Sequence, residues 1–212
     1  MSAPAEVPRE DVRREDVKRE EAHFRRIDMR GWRRSDGLYE VQGRVTDRKP
    51  HEFKAPNGPR VVAAGGAIHD MEVTLTFDTD MLVHEVRATT FAAPYASCQG
   101  GPPTLQSLKG LRIASGWGSE VKKRLGGAQS CTHLMEILVP MATVAFQTLS
   151  MFRIARPDIL NAVGRPVKID SCLAYSSKGS LVRGKWPAFY TGDAEGGNDK
   201  GSGKANPDNT GS

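Results

Sequence analysis

Cys131, Thr132 and His133 stand in the stretch QSCTHLMEIL, directly ahead of a long apolar run. With Ser130 as the cap they are the first three positions of a helix. The helix dipole at that end disfavours imidazolium and favours a thiolate, and the unpaired amides suit an oxyanion. A neutral imidazole can take up a proton or donate a hydrogen bond, which makes His133 a candidate acid–base group. Residues two apart on a helix do not face each other, so Cys131 and His133 make a poor dyad and an awkward chelate. The packing alternative has Ser130 and Thr132 capping the helix, Cys131 filling space as a small hydrophobe, and His133 bonded to backbone.

A second group comes from HDMEVTLTF and MLVHEVRATT, two alternating runs that read as a hairpin around Asp78–Asp80. Keeping both apolar sets on one face pairs Phe77 with Leu82 and Leu75 with His84, and sets His69 opposite Thr90. His69 and His84 are then about 20 Å apart along the ribbon and cannot share a site. The chain leaving Thr90 runs into FAAPYASC, which brings Tyr95 and Cys98 close to His69 and Asp70. Asp70 points to the opposite face from His69, so the pair is no dyad, and His69 alone has a packing reading as well. A zinc site from His69, Cys98 and Cys131 or His133 would draw on three elements without CxxC or HxxxH spacing, and no metal is expected.

The third group is RGWRRSDGLYEV, with Arg33, Arg34, Asp36 and Tyr39. It reads as a basic surface around an Asp36–Gly37 turn, or as a guanidinium clamp for a carboxylate or phenolate. A nucleic-acid surface with Trp32 as stacking residue is the third reading, weakened by the single aromatic and the acidic groups of the arm. Lys49 joins the site only where the loop that follows it folds over a pocket.

These groups need elements to hold them. GLYEVQGRV alternates as a strand, and the connection from Thr46 to Gly66 is long enough for a lid or binding loop, or for disorder. Thr104 can cap LQSLKGLRI, and Ser119 can cap EVKKRLGG, whose paired glycines stop the helix. The longest helix is expected over 131–154, kinked at Pro140. RPVKIDSCLAYSSKGSLVRGKWPAFY reads as two strands around Ser176–Ser180. The order implies an α+β fold, a mainly antiparallel sheet packed against a few helices.

Residues 1–22, built on the repeat REDVR REDVK REEAH, are expected as a charged flexible arm; 23–191 as a single globular domain; 192–212 as a disordered tail rich in glycine, serine and asparagine. Three cysteines at wide spacing with no apolar leader suit reduced thiols in a cytoplasm. The most apolar run, ILVPMATVAF, is too short for a membrane span. Arg25, Arg26, Arg30, Arg33 and Arg34 cluster and must face water or an anion.

The strings RRIDMRGWRRSDGLYEVQGRVTDRKP, HDM, APYASC, LKGLRIASGW, CTHLMEIL, AFQTL and DSCLAY, in this order, resemble the bacterial family catalogued as domain of unknown function twenty-eight eighty-nine. The resemblance runs from Phe24 to Pro187 and marks His69, Asp70, Tyr95, Cys98, Cys131, Thr132 and His133 as recurring positions. It implies enzymes that dismantle lignin-derived aromatic dimers, releasing formaldehyde by carbon–carbon cleavage without a cofactor. The absence of a P-loop, a dinucleotide fingerprint and a metal motif is compatible with that.

The expectation is therefore a small lyase of retro-aldol type. His69 or His133 is its base, Tyr95 a proton donor, and Cys131 a further catalytic candidate. Amides at the helix start and Arg34 would stabilise the anion, with Arg33, Asp36, Tyr39, Lys49, Asp70, Cys98 and Thr132 against the substrate. The partner is a small aromatic molecule, with no membrane and room for a homo-oligomer. Two alternatives stand beside it: a non-catalytic module that senses an aromatic acid, and a thiol- or metal-dependent hydrolase.

Overall fold

A computed structural model describes residues 17–150 and 157–192. Their contacts group into two compact units, one within residues 1–153 and one within 154–212. The arm and the tail fall largely on residues 1–16 and 193–212, outside the described part, whereas residues 17–22 are irregular and exposed.

The first unit is built on a four-stranded antiparallel sheet in the order β1 (Phe24–Arg33), β2 (Tyr39–Arg48), β5 (Ala67–Phe77), β6 (Val83–Ala92). The alternation in β2 decides the layering: Tyr39, Val41, Gly43, Val45 and Asp47 are buried while the residues between them are not. Onto that face packs α3 (Thr132–Thr148) through Leu134, Ile137, Leu138, Met141 and Ala145. Each large apolar side chain removed from water there is worth about 2 kcal/mol. Gly43 lets the helix come close, because a Cβ on it would stand 2.9 Å from Met141 Sδ. Against α3 lies α2 (Trp117–Leu125), pinned by a hydrogen bond from Trp117 Nε1 to the Leu138 carbonyl. This is the expected α+β architecture. Among the described residues no helix is long and apolar enough to cross a membrane.

The strand β1 stands at the sheet edge with all but Met29 exposed. Its register sets Arg25 opposite Asp47 and Arg33 opposite Tyr39, and β2 in turn sets Asp47 opposite His69. Three polar residues thus lie abreast on adjacent strands at one end of the sheet.

Several expectations are corrected by local geometry. The hairpin pairs Leu75 with Val86 and Met71 with Thr90, two residues out from the expected register. The turn is longer than expected: Asp78 donates its amide to the Leu82 carbonyl, Met81 takes a positive φ of 65°, and the ladder is irregular between Thr76 and Phe77. His84 consequently faces water and bonds Asp78. The connection after β2 is folded, carrying the small hairpin β3 (Phe53–Lys54) and β4 (Val61–Val62).

Thr104 ends α1 (Gly101–Thr104) and stands at the N-cap position of a 3₁₀ turn over Leu105–Leu108, but its hydroxyl bonds the Gly101 carbonyl and Ser130 rather than capping that turn. The cap of α2 is Gly116 at φ 87°, a left-handed conformation that serine at 119 was not needed for, while Gly126 ends the helix as expected. Helix α3 begins one residue later than expected, with Cys131 in extended conformation as its N-cap residue. It ends at Thr148; the expected continuation to 154 runs into residues 151–156, outside the described part.

In the second unit the two expected strands are absent among the described residues. Instead a helix, α4 (Ser180–Lys185), lies between 3₁₀ turns at Leu173–Tyr175 and Pro187–Phe189. Asp170, at φ 66°, accepts the Ser177 amide and pairs with Arg165, which turns the chain back on itself before any strand can extend. Trp186 is fixed by donating Nε1 to Asp158.

Candidate functional site

Asp47 is the centre of the polar cluster, with only 1% of its side chain exposed. Arg25 grips both carboxylate oxygens, Nε at 2.7 Å from Oδ1 and Nη2 at 2.9 Å from Oδ2. His23 Nε2 stands 3.3 Å from Oδ1, and His69 Nδ1 and His133 Nε2 stand 3.0 and 3.5 Å from Oδ2. Burial would push the Asp47 carboxyl up, but the Arg25 hydrogen bonds and charge outweigh it and hold the pKa at about 2. An ionised carboxylate only accepts, so His69 carries its proton on Nδ1 and keeps Nε2 as the basic nitrogen.

The imidazoles of His69 and His133 stack with centroids 3.8 Å apart and planes 30° apart. Strand β5 supplies one and the first turn of α3 the other. Burial lowers the pKa of His69, as does the neighbouring His133, against the opposing pull of Asp47. Burial also lowers that of His133, against Asp47. Both rings are neutral near pH 7.

Cys131 changes the expected relation between the two residues at the helix start. Because it precedes the helix in extended conformation, its Sγ comes within 3.9 Å of His133 Nδ1, and within 3.5 Å of Met71 Sδ. The objection that residues two apart on a helix diverge does not apply to a residue outside the helix.

Donor atoms of Asp47, His69 and His133 lie within 4.8 Å of one another, close enough for one metal ion. Arg25 already occupies both carboxylate oxygens, and its hydrogen bonds would have to give way before one ion could be held, so the arrangement suits proton transfer better than ligation.

A cavity of about 700 Å³ opens beside this cluster. His69, Tyr95, Cys98, Cys131, Thr132 and His133 all line it. Phe53, Ala55 and Pro56 from the connection after β2 form another wall, and Tyr95 donates its hydroxyl to the Pro56 carbonyl at 3.1 Å. Lys49 sits behind Phe53, its Nζ 5.9 Å from the ring centre and bonded to the Ala22 carbonyl.

The remaining candidates lie elsewhere. Arg33, Arg34, Asp36 and Tyr39 occupy the far end of the β1–β2 ribbon, about 26 Å from Arg25 at the usual strand rise. Arg34 is committed to Asp36 and Glu40 there, and Tyr39 packs on Phe77 in the core. Asp70 turns to the other face and takes a two-pronged bond from Arg44.

Sequence reasoning missed Asp47, Arg25 and His23. The signal for Asp47 was available: it continues the inward phase of Tyr39, Val41, Gly43 and Val45, and a carboxylate in that phase must find partners indoors. The three cysteines are unpaired.

No curated protein and no solved structure matches the chain. The model of the family described as protein of unknown function (DUF2889) matches residues 23–147, which takes in β1 to α3 and every residue of the cluster and cavity. The chain belongs to that family.

Proposed function

We propose that the cavity is the active site of a cytoplasmic, cofactor-independent lyase that releases an aldehyde from an aromatic compound bearing a hydroxymethyl side chain. The observation that carries this reading is the bond between buried Asp47 and His69 on the cavity wall, which orients a neutral imidazole and keeps its Nε2 basic. In the reaction His69 takes the hydroxyl proton of the side chain. The oxygen forms the aldehyde double bond, the carbon–carbon bond breaks, and its electron pair passes to the carbon bearing the ring. That pair then takes a proton, or expels an aryl ether oxygen that is protonated as it leaves. Tyr95, its hydroxyl turning from the Pro56 carbonyl, or the imidazolium formed on His69 supplies that proton within the same cavity, and Asp47 stabilises the imidazolium. Arg34 plays no part, being bound at the far end of the sheet.

The test is to incubate the protein with hydroxymethyl-bearing aromatic dimers and trap aldehyde. One aldehyde per substrate consumed, lost in His69→Gln, supports the reading; intact substrates throughout a panel of such compounds would sink it.

A thiol hydrolase is the second reading, favoured by the 3.9 Å approach of Cys131 Sγ to His133 Nδ1 with Asp47 beyond Nε2. Its mark is a burst of nitrophenol from a nitrophenyl ester that disappears in Cys131→Ser and survives in His69→Gln.

A further inference from the structure

The cavity wall lacks formal charge. Among the described residues that line it, the titratable side chains are His69, His133, Tyr95, Cys98 and Cys131, with no lysine, arginine, aspartate or glutamate. Lys54, between Phe53 and Ala55, is exposed and does not line the wall, and two further cations of the same unit are already occupied. Arg25 is bound to Asp47 and Glu136, and Lys49 is bonded to a backbone carbonyl behind Phe53. Asp47, the nearest anion, lies behind the imidazoles with its charge matched by Arg25. A carboxylate entering this space would lose hydration and meet no cationic side chain, only the partial positive charge of the α3 start, which is less than a full counter-charge. Hydroxyl and ether oxygens would lose far less, because Thr104, Ser130 and Thr132 offer hydroxyls and Gln129 an amide along the wall. Phe53, Pro56, Pro94 and Tyr95 supply apolar surface suited to rings, in a volume that accepts two of them.

We infer that the cavity selects uncharged aromatic alcohols and ethers and discriminates against aromatic acids of the same size. The inference rests on the reading of the cavity as the substrate site and names the class of compound it takes. It also sets that reading apart from a sensor of aromatic acids.

Binding, not turnover, tests it, so that failure of the lyase reading and failure of this one are separable. Calorimetric titration of the whole protein near pH 8 compares 4-phenoxybenzyl alcohol with 4-phenoxybenzoate, a pair matched in shape and differing in charge. The alcohol is expected to bind about tenfold or more tightly than the acid, roughly 1.4 kcal/mol or more. Ala128→Lys, an exposed position of the lining with no polar group of its own, should raise the affinity for the acid about tenfold and leave that for the alcohol unchanged. Ser130→Trp, which fills the cavity, should remove binding of the alcohol. Equal or tighter binding of the acid in the unaltered protein would overturn the inference. So would alcohol binding that persists in Ser130→Trp at an unchanged melting temperature, or failure of both compounds to bind.

Discussion

Asp47 faces five nitrogen atoms from four side chains, and most of the chemistry of this protein follows from how that crowd is arranged. Asp47→Asn should cost about 1–2 kcal/mol in urea unfolding, since Arg25 loses its main partner but is partly exposed and keeps Glu136. If His69 is the base of the proposed lyase, His69→Gln should lower turnover about a hundredfold or more while stability changes by less than about 1 kcal/mol. A parallel loss of fold and activity would make His69 a packing residue.

Acid stability follows from the same residues. His69 and His133 bind a proton less readily folded than unfolded, so their contribution is complete above the ordinary histidine value near 6.5 and is lost as pH falls below it. Asp47, depressed to about 2, gives up its contribution only between about 3.8 and 2. Thermal melts across this range should therefore fall in two separated steps, and His133→Gln should shrink the upper one. Of these residues the histidines were legible, as polar groups interrupting apolar patterns. Asp47 was missed because the strand was read only as far as Val45, and Arg25 because a cluster of arginines suggests a surface.

At the level of elements, the start of α3 is held by its contact with α1. A Cβ on Gly101 would lie 2.7 Å from Cys131 Cβ and 3.3 Å from Leu134 Cδ1. Gly101→Ala has no backbone strain to overcome, since φ is −67° there, so its whole effect is to push the helix start outward. We expect a stability loss of about 1–3 kcal/mol in denaturant titration and a lower kcat, because the shift moves Cys131 and His133 with it. The strands β2, β5 and β6 and helix α3 were legible in the sequence, since their periods differ and each buries one face, whereas β1, exposed but for Met29, was not read as a strand. Pairing was not: a turn containing a left-handed Met81 slips the hairpin by two residues and turns His84 outward. The second unit misled for another reason. Its alternating residues resemble strands, but buried alternation needs a neighbouring strand to pair with, and local hydrogen bonds at Asp170 and Gly179 direct the chain into turns and a short helix.

On the scale of the whole molecule, the family match, the hydrophobic core and the cavity all belong to the first unit. A chain ending at residue 153 should therefore melt cooperatively and bind 4-phenoxybenzyl alcohol as the full chain does, which circular dichroism and calorimetry would check; a non-cooperative melt would show that the first unit cannot fold alone. The α+β class was legible because it depends only on the kinds and order of elements, whereas the division into two units depends on contacts that no local pattern encodes. The open edge of β1 has a consequence in solution. Along it run Arg26, Arg30 and Arg33 against Asp28, with Arg25 already tied to Asp47 and Glu136. A second ribbon seeking to zip onto that border would meet a picket of guanidinium groups, so the molecules should stay dispersed in dilute buffer and begin to clump as added salt dulls the repulsion.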